Sequence, residues 1–232
     1  MSYRDFKLLT FDVVGTLIDF ERGVLESIRR ISGRSEAELD DDTIFEAYKR
    51  GRDAHYERSS EVMGLVYLHL ARELGLRADD AAADEFQMAV LRWPAFADSV
   101  EALRRLRRRF RLVAMTNADR SAFSFYSQTL GNPFHDSVTA DEAGCAKPNP
   151  RFFDFNRGRQ SAHGYRQDEI LHVAQSQHHD IGVARQLGYK VCWIERRQGI
   201  AGFGGTPAVA TITRPDFHFA TLAALADAVE AE

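Results

Sequence analysis

Apolar positions recur along the chain in two rhythms. Five short, nearly unbroken apolar runs, each closed by polar or glycine-rich residues, predict buried parallel strands at Leu8–Phe11, Leu112–Met115, Ser137–Ala140, Ile170–Val173 and Val191–Ile194. Asp216–Phe219 is a sixth candidate near the end. Between most of these runs the apolar spacing turns helical, over Val100–Arg109, Arg120–Leu130, Pro150–Arg159, His179–Leu187 and Leu222–Val229. Strands alternating with helices predict an α/β fold, a parallel sheet covered by helices on both faces in three αβα layers.

The first strand breaks that rhythm. Between Phe11 and Leu112 only helical patterns follow, at Val24–Ile31, Thr43–Arg58, Val62–Leu74 and Ala82–Leu91, before Trp93-Pro94 interrupts them. Residues 19–93 therefore read as an all-helical cap inserted into a core made of residues 1–18 and 94–232. Such a cap would lie over the carboxyl ends of the strands, where open α/β sheets place their sites.

Composition narrows the partners. The chain has 232 residues, 44% hydrophobic and 28% charged, with a formal net charge of -4, which suits an ordinary folded domain and argues against a nucleic-acid binder. No apolar stretch approaches the ~20 residues of a membrane span, and the N-terminus lacks the pattern of a secretory leader, so the expected setting is cytoplasmic. Cys145 and Cys192 cannot build a disulfide framework. Lysine is scarce: only Lys7, Lys49, Lys147 and Lys190 stand among the 30 basic residues, which raises the question of whether any of them is required as an ammonium.

Four polar signals fall at or just beyond the carboxyl ends of four of the predicted strands: Asp12 in FDVVGTL, Thr116-Asn117 in AMTNADR, Lys147 in AKPNP and Asp180 in HVAQSQHHD. Singly each reads as a turn or cap residue. Jointly they bring a carboxylate, a hydroxyl and amide pair, an ammonium and a second carboxylate to one sheet edge.

With these four motifs the chain resembles the haloacid dehalogenase superfamily over almost its whole length. The resemblance implies that Asp12 is a nucleophile forming a covalent ester or acyl phosphate, that Thr116 and Asn117 orient it, and that Lys147 keeps it ionised. Asp180 would position or activate the water that opens the ester. Gly15 and Thr16 would make the tight turn beside the substrate. Phosphatases of this superfamily carry a second Asp where this chain has Val14, and a Mg²⁺-binding Asp where it has Gln175. Without that acid and that ligand, neither a metal nor another cofactor is expected.

Halide leaves without protonation, so the pattern is most similar to the L-2-haloacid dehalogenase branch. That similarity implies hydrolysis of small (S)-2-haloacids, with Arg50 as the cap residue that takes the leaving halide. Val13, Val14, Thr16, Phe153, Gln175, Ser176, Gln177 and His179 are the remaining expected substrate contacts. The chain departs from that branch where an aromatic is replaced by Val14, a Tyr by Phe153, a Ser and an Asn by Gln175 and Gln177, and a Trp by His179. WPAF, KPNP and the Ser-x-x-His-Asp of SQHHD are also similar to azetidine-2-carboxylate hydrolase, which opens a C–N ring by the same ester logic. A Mg²⁺-dependent phosphatase and a non-catalytic binding protein are the further alternatives. The expected partner is a small carboxylate-bearing molecule, with neither nucleic acid nor membrane, and a homodimer is left open.

Three other signals read as structural. His178-His179 point about 100° apart on a helix and make a poor metal pair. The arginines from Arg104 to Arg111 flank Leu103, Leu106 and Phe110 and read as a solvated face. Gly199–Pro207 lacks the Gly-Lys-Ser/Thr ending of a phosphate-binding loop and reads as a flexible surface loop.

Overall fold

The computed structural model describes residues 2–55 and 60–232. Six parallel strands form one sheet: β1 (Leu8–Phe11), β2 (Arg111–Met115), β3 (Asp136–Val138), β4 (Ile170–Ala174), β5 (Lys190–Ile194) and β6 (Phe217–Phe219), in the order β3-β2-β1-β4-β5-β6. The chain reverses its direction of travel across the sheet at β1. The carboxyl ends of β1 and β4 therefore flank the crevice where such sheets hold ligands. β1 and β4 are buried at every position, which explains sequences that are apolar but for Thr10 and His172. Core helices α5 (Ser99–Leu106), α6 (Arg120–Thr129), α7 (Ala140–Ala143), α8 (Pro150–Ala162), α9 (Gly182–Gln186) and α10 (Leu222–Glu230) cover the two faces.

Helices α1 (Phe20–Ser32), α2 (Asp41–Ala54), α3 (Met63–Glu73) and α4 (Asp80–Val90) lie between β1 and β2 and form the helical cap. Asp19 and Asp40 start the first two by accepting hydrogen bonds from the amides of Arg22 and Thr43. Where the chain leaves and re-enters the core, Asp19 N–H bonds Pro94 O at 2.8 Å and Phe96 N–H bonds Leu17 O at 3.0 Å. Trp93 then lies so close to Gly23 of α1 that a Cβ there would fall 2.2 Å from its ring. Glycine is what lets α1 sit on this crossing.

Several predicted elements are adjusted. The strand expected at Ser137–Ala140 is Asp136–Val138, because Thr139 caps α7 in a reciprocal capping box with Glu142. The helix expected from His179 opens as a π-helical turn at Gln177–Ile181 before α9. α2 ends at Ala54, and positions 56–58 of the helix expected to reach Arg58 lie outside the described residues. In the arginine cluster α5 stops at Leu106. Arg104 and Arg105 pair with Glu101, Asp227 and Glu230, and Arg109 donates to Val229 O. Arg104, Arg107, Arg108 and Arg109 are exposed, so the expected solvated face stands, with Arg105 and Arg109 tying it to α10.

Candidate active site

The site is assembled around Lys147. Asn117, just beyond β2, clamps its main chain on both sides, donating from Nδ2 to Lys147 O at 2.9 Å and accepting from Lys147 N–H at 2.8 Å. The side chain is thereby threaded under the sheet edge, where it is 1% exposed. Its ammonium donates to Asp12 Oδ1 at 2.8 Å, Asp180 Oδ1 at 2.6 Å and Met115 O at 2.8 Å. An ammonium has three protons, and all three are used.

Asp12 follows β1 and is 6% exposed, facing a cavity of about 380 Å³. Its second oxygen, Oδ2, accepts from Thr16 Oγ1 at 2.6 Å, and Thr16 Oγ1 in turn accepts from Gln175 N–H at 2.8 Å. Gly15 makes the turn between them with φ of 97°, a conformation that strains any residue with a Cβ. Burial pushes the Asp12 carboxyl above its usual range, and Asp180 adds to the rise; Lys147 and Thr16 act against it. Lys147 is also raised, since the two carboxylates outweigh the burial that disfavours its charge. Asp180 goes the other way: burial opposes its charge, but Lys147 and His172 outweigh it and hold the carboxyl at about 2. The two carboxylates are thus pushed apart, as expected of groups with different tasks.

Asp180 is fully buried. Its Oδ1 takes Lys147 and also His172 Nε2 at 3.0 Å, whereas Oδ2 is buried without a partner among the described residues. Beside it, Ser176 Oγ accepts His179 N–H at 2.9 Å and meets His179 Nδ1 at 3.2 Å. Burial lowers His179 to about 4, so the imidazole is neutral at physiological pH.

The cavity gathers Asp12, Val14, Asn117, Lys147, Gln175, Ser176, His179 and Asp180 from the expected set. Others stand elsewhere. The hydrogen bonds expected from Thr116 and Asn117 to Asp12 are not made. Thr116 Oγ1 accepts from Ala118 N–H, Asn117 serves Lys147, and Thr16 orients Asp12 instead. Val13 is fully buried in the core and accepts from the amides of Leu17 and Ile18. Phe153 is fully buried too, packed edge-on against His172 and Tyr189. Gln177 turns away to pair with the main chain of Thr213.

Arg50 lies at the cavity mouth, but its guanidinium is taken by Glu73 through Nε, with Nη2 adding a further contact. Arg52, two residues on, also lines the cavity and makes no ion pair with another described residue; its Nη1 rests 3.3 Å from Met63 Sδ. The glycine-rich loop also differs from expectation, because Gly205, Thr206 and Pro207 form part of the cavity wall. Thr206 accepts from Gln175 Nε2 at 2.9 Å, and Glu21 of the cap holds Gly205 N–H at 2.9 Å. Gln175, at the position of the missing Mg²⁺ ligand, therefore spends its amide on this loop. Among the described residues no three or more His, Cys, Asp or Glu side chains gather where they could hold a metal ion.

The chain is similar to known proteins in sequence and fold. Residues 6–188 match the family model described as haloacid dehalogenase-like hydrolase. Haloacetate dehalogenase H-2 of Moraxella sp. (strain B) is 24% identical over 202 residues, covering 83% of this chain and 87% of that one. The (S)-2-haloacid dehalogenase of Pseudomonas fluorescens is 27% identical over 155 residues, 64% of each chain. Among solved structures, L-2-haloacid dehalogenase from Xanthobacter autotrophicus with chloropropionic acid covalently bound superposes with a TM-score of 0.73 at 18% identity, covering 97% of this chain and 98% of that one. A defluorinating L-2-haloacid dehalogenase gives 0.77 at 18% identity, covering 97% and 95%. The chain belongs to the haloacid dehalogenase-like hydrolase family.

Proposed function

We propose that this hydrolase displaces halide from small (S)-2-haloacids through an ester on Asp12, without a metal ion. The observation that carries the reading is the buried Asp12–Lys147–Asp180 triad at the cavity floor. An Asp12 carboxylate oxygen attacks the α-carbon, the C–halogen bond breaks, and halide leaves with the bonding pair. Val14 can donate no proton at this point, and halide needs none. A water oxygen then adds to the Asp12 carboxyl carbon, and Asp180 Oδ2 accepts the water proton. The C–O bond to Asp12 breaks on the protein side, and the 2-hydroxy acid departs with its oxygen reprotonated. One proton per turnover is released to solvent. Arg52, whose charge no described carboxylate takes up, is the cap cation for the leaving halide in place of Arg50. A cavity of about 380 Å³ has room to spare for a substrate of this size.

The test is chloride release from L-2-chloropropionate in the presence of EDTA, with mass spectrometry of the trapped protein for an adduct on Asp12. Asp12→Asn should lose at least about 10³-fold in rate. EDTA-sensitive phosphate release from a simple phosphomonoester, with no halide release, would overturn the proposal.

A second reading is favoured by one observation, the carboxylate of Asp53 among the cavity residues, Glu46 beside it being paired with Lys49. Asp53 suits a substrate that bears an ammonium, such as a cyclic amino acid whose C–N bond is opened by the same attack. Release of the ring-opened hydroxy amino acid from azetidine-2-carboxylate, faster than halide from 2-chloropropionate, would select it.

A further inference from the structure

His172 lies inside β4 among apolar neighbours and is fully buried, yet both its ring nitrogens are engaged. Nε2 meets Asp180 Oδ1 at 3.0 Å and Nδ1 meets Thr10 Oγ1 at 2.9 Å. An ionised carboxylate only accepts, so Nε2 carries the proton; in the neutral ring Nδ1 then accepts from the Thr10 hydroxyl. With the ring assigned this tautomer from its two partners, donation runs Thr10 to His172 to Asp180, from inside the sheet toward the cavity. Asp180 Oδ1 thus receives two donors, His172 and Lys147, while Oδ2 receives none from a described residue.

From this geometry we infer that His172 is a positioning residue for the hydrolytic half of the reaction, pinning Asp180 through Oδ1 so that Oδ2 stays aimed at the water. The inference rests on the ester pathway proposed above. Lys147 alone would not select this orientation, because its ammonium also holds Asp12 and gives no fixed plane to the Asp180 carboxylate. The imidazole, wedged edge-on against Phe153 and tied to Thr10 on an adjacent strand, supplies that plane. Alkylation of Asp12 needs no such control, since the attacking oxygen belongs to Asp12 itself. The two half-reactions should therefore respond differently to loss of His172.

The groups facing Asp180 are Lys147, Asp12, His172 and, one residue away, His179. Of these only the His172 bond is removed in His172→Leu. His172→Gln keeps an N–H donor at the position of Nε2, and Thr10→Val removes the donor that fixes the tautomer.

The experiment is single-turnover rapid quench with L-2-chloropropionate, following chloride release and the Asp12 adduct by intact-protein mass spectrometry. In His172→Leu the chloride burst should stay within about 3-fold of wild type while adduct hydrolysis slows about 10–100-fold, the weight of one charge-assisted hydrogen bond. The acid limb of the hydrolysis step should move to higher pH, because Asp180 has lost a donor that favours its charged form. His172→Gln should restore most of the rate, and Thr10→Val should shift it in the same direction as Leu by a smaller factor. Equal slowing of both steps in all three variants, or a Gln variant no better than Leu, would overturn the role of His172. A wild-type protein that forms no Asp12 adduct would overturn the ester pathway itself, and the inference with it.

Discussion

Replacing Lys147 with methionine should cost this protein about 3–5 kcal/mol of stability near neutral pH, the usual range when one partner of a buried ion pair is removed. Methionine keeps the length and bulk of the side chain and deletes the charge. The ammonium is 1% exposed and lies 2.8 Å and 2.6 Å from two carboxylate oxygens. At charge separations of ~4 Å and an effective dielectric of ~20, each pair is worth about 4 kcal/mol gross. Keeping the ammonium out of water costs several kcal/mol of this, so the net loss falls below the gross figure. The variant keeps two buried carboxylates facing one another with only Thr16 and His172 as donors. Burial then raises both their pKa values, and a group with a raised folded pKa loses its stabilising protonated form as pH rises. The deficit should therefore be largest near neutral pH and shrink as pH falls through the raised values. Urea unfolding of wild type and variant at neutral and mildly acidic pH measures it directly. The double variant Lys147→Met/Asp180→Asn should recover at least about 2 kcal/mol of the loss and none of the turnover. A deficit under about 1 kcal/mol at neutral pH, or one that grows on acidification, would refute the reasoning from buried charge.

Two further outcomes separate neighbouring residues. Arg52→Ala should lower kcat/KM by about 10-fold or more, the weight of a charge-assisted contact, while Arg50→Ala stays within about 3-fold because Glu73 already holds that guanidinium; steady-state halide release ranks them, and the reverse order would return the halide role to Arg50. His179 is held at about 4 against an ordinary value of 6.5, mainly by burial, so its contribution to stability is present above about 6.5 and is lost as pH falls toward about 4. His179→Leu should flatten that acid loss by about 3 kcal/mol in urea titrations across the window, and parallel losses in both proteins would contradict it.

What the sequence made legible follows from where each residue stands. Asp12 sits at a strand end and Lys147 and Asp180 follow theirs within one connection, so the strand pattern points all three to one edge, with Asn117 fixing where Lys147 lies. The helical cap was readable because its four amphipathic runs interrupt the strand rhythm. The wall of the cavity was not readable, because long-range pairings decide it. Thr206 reaches the site only because Glu21 of α1 holds Gly205 and Gln175 reaches across to the hydroxyl. Arg50 and Arg52 differ in pairing through Glu73, on a different helix. His172 looked like one more interior position of an apolar strand, since a period of two cannot say whether a buried side chain meets core or carboxylate. Thr16 took the orienting task expected of Thr116 because the turn at Gly15 folds its hydroxyl back onto Asp12.

The fully used ammonium of Lys147 bears on how this gene can drift. Some lysine and arginine codons differ by a single base, and this chain carries arginine at nearly every basic position. At position 147 that drift meets a barrier of shape. Three acceptors converge on one point from different directions, and a planar guanidinium spreads its donors over a fork several ångströms wide. A chain that loses this lysine to arginine keeps its net charge, but not the single nitrogen on which two carboxylates and a strand end meet.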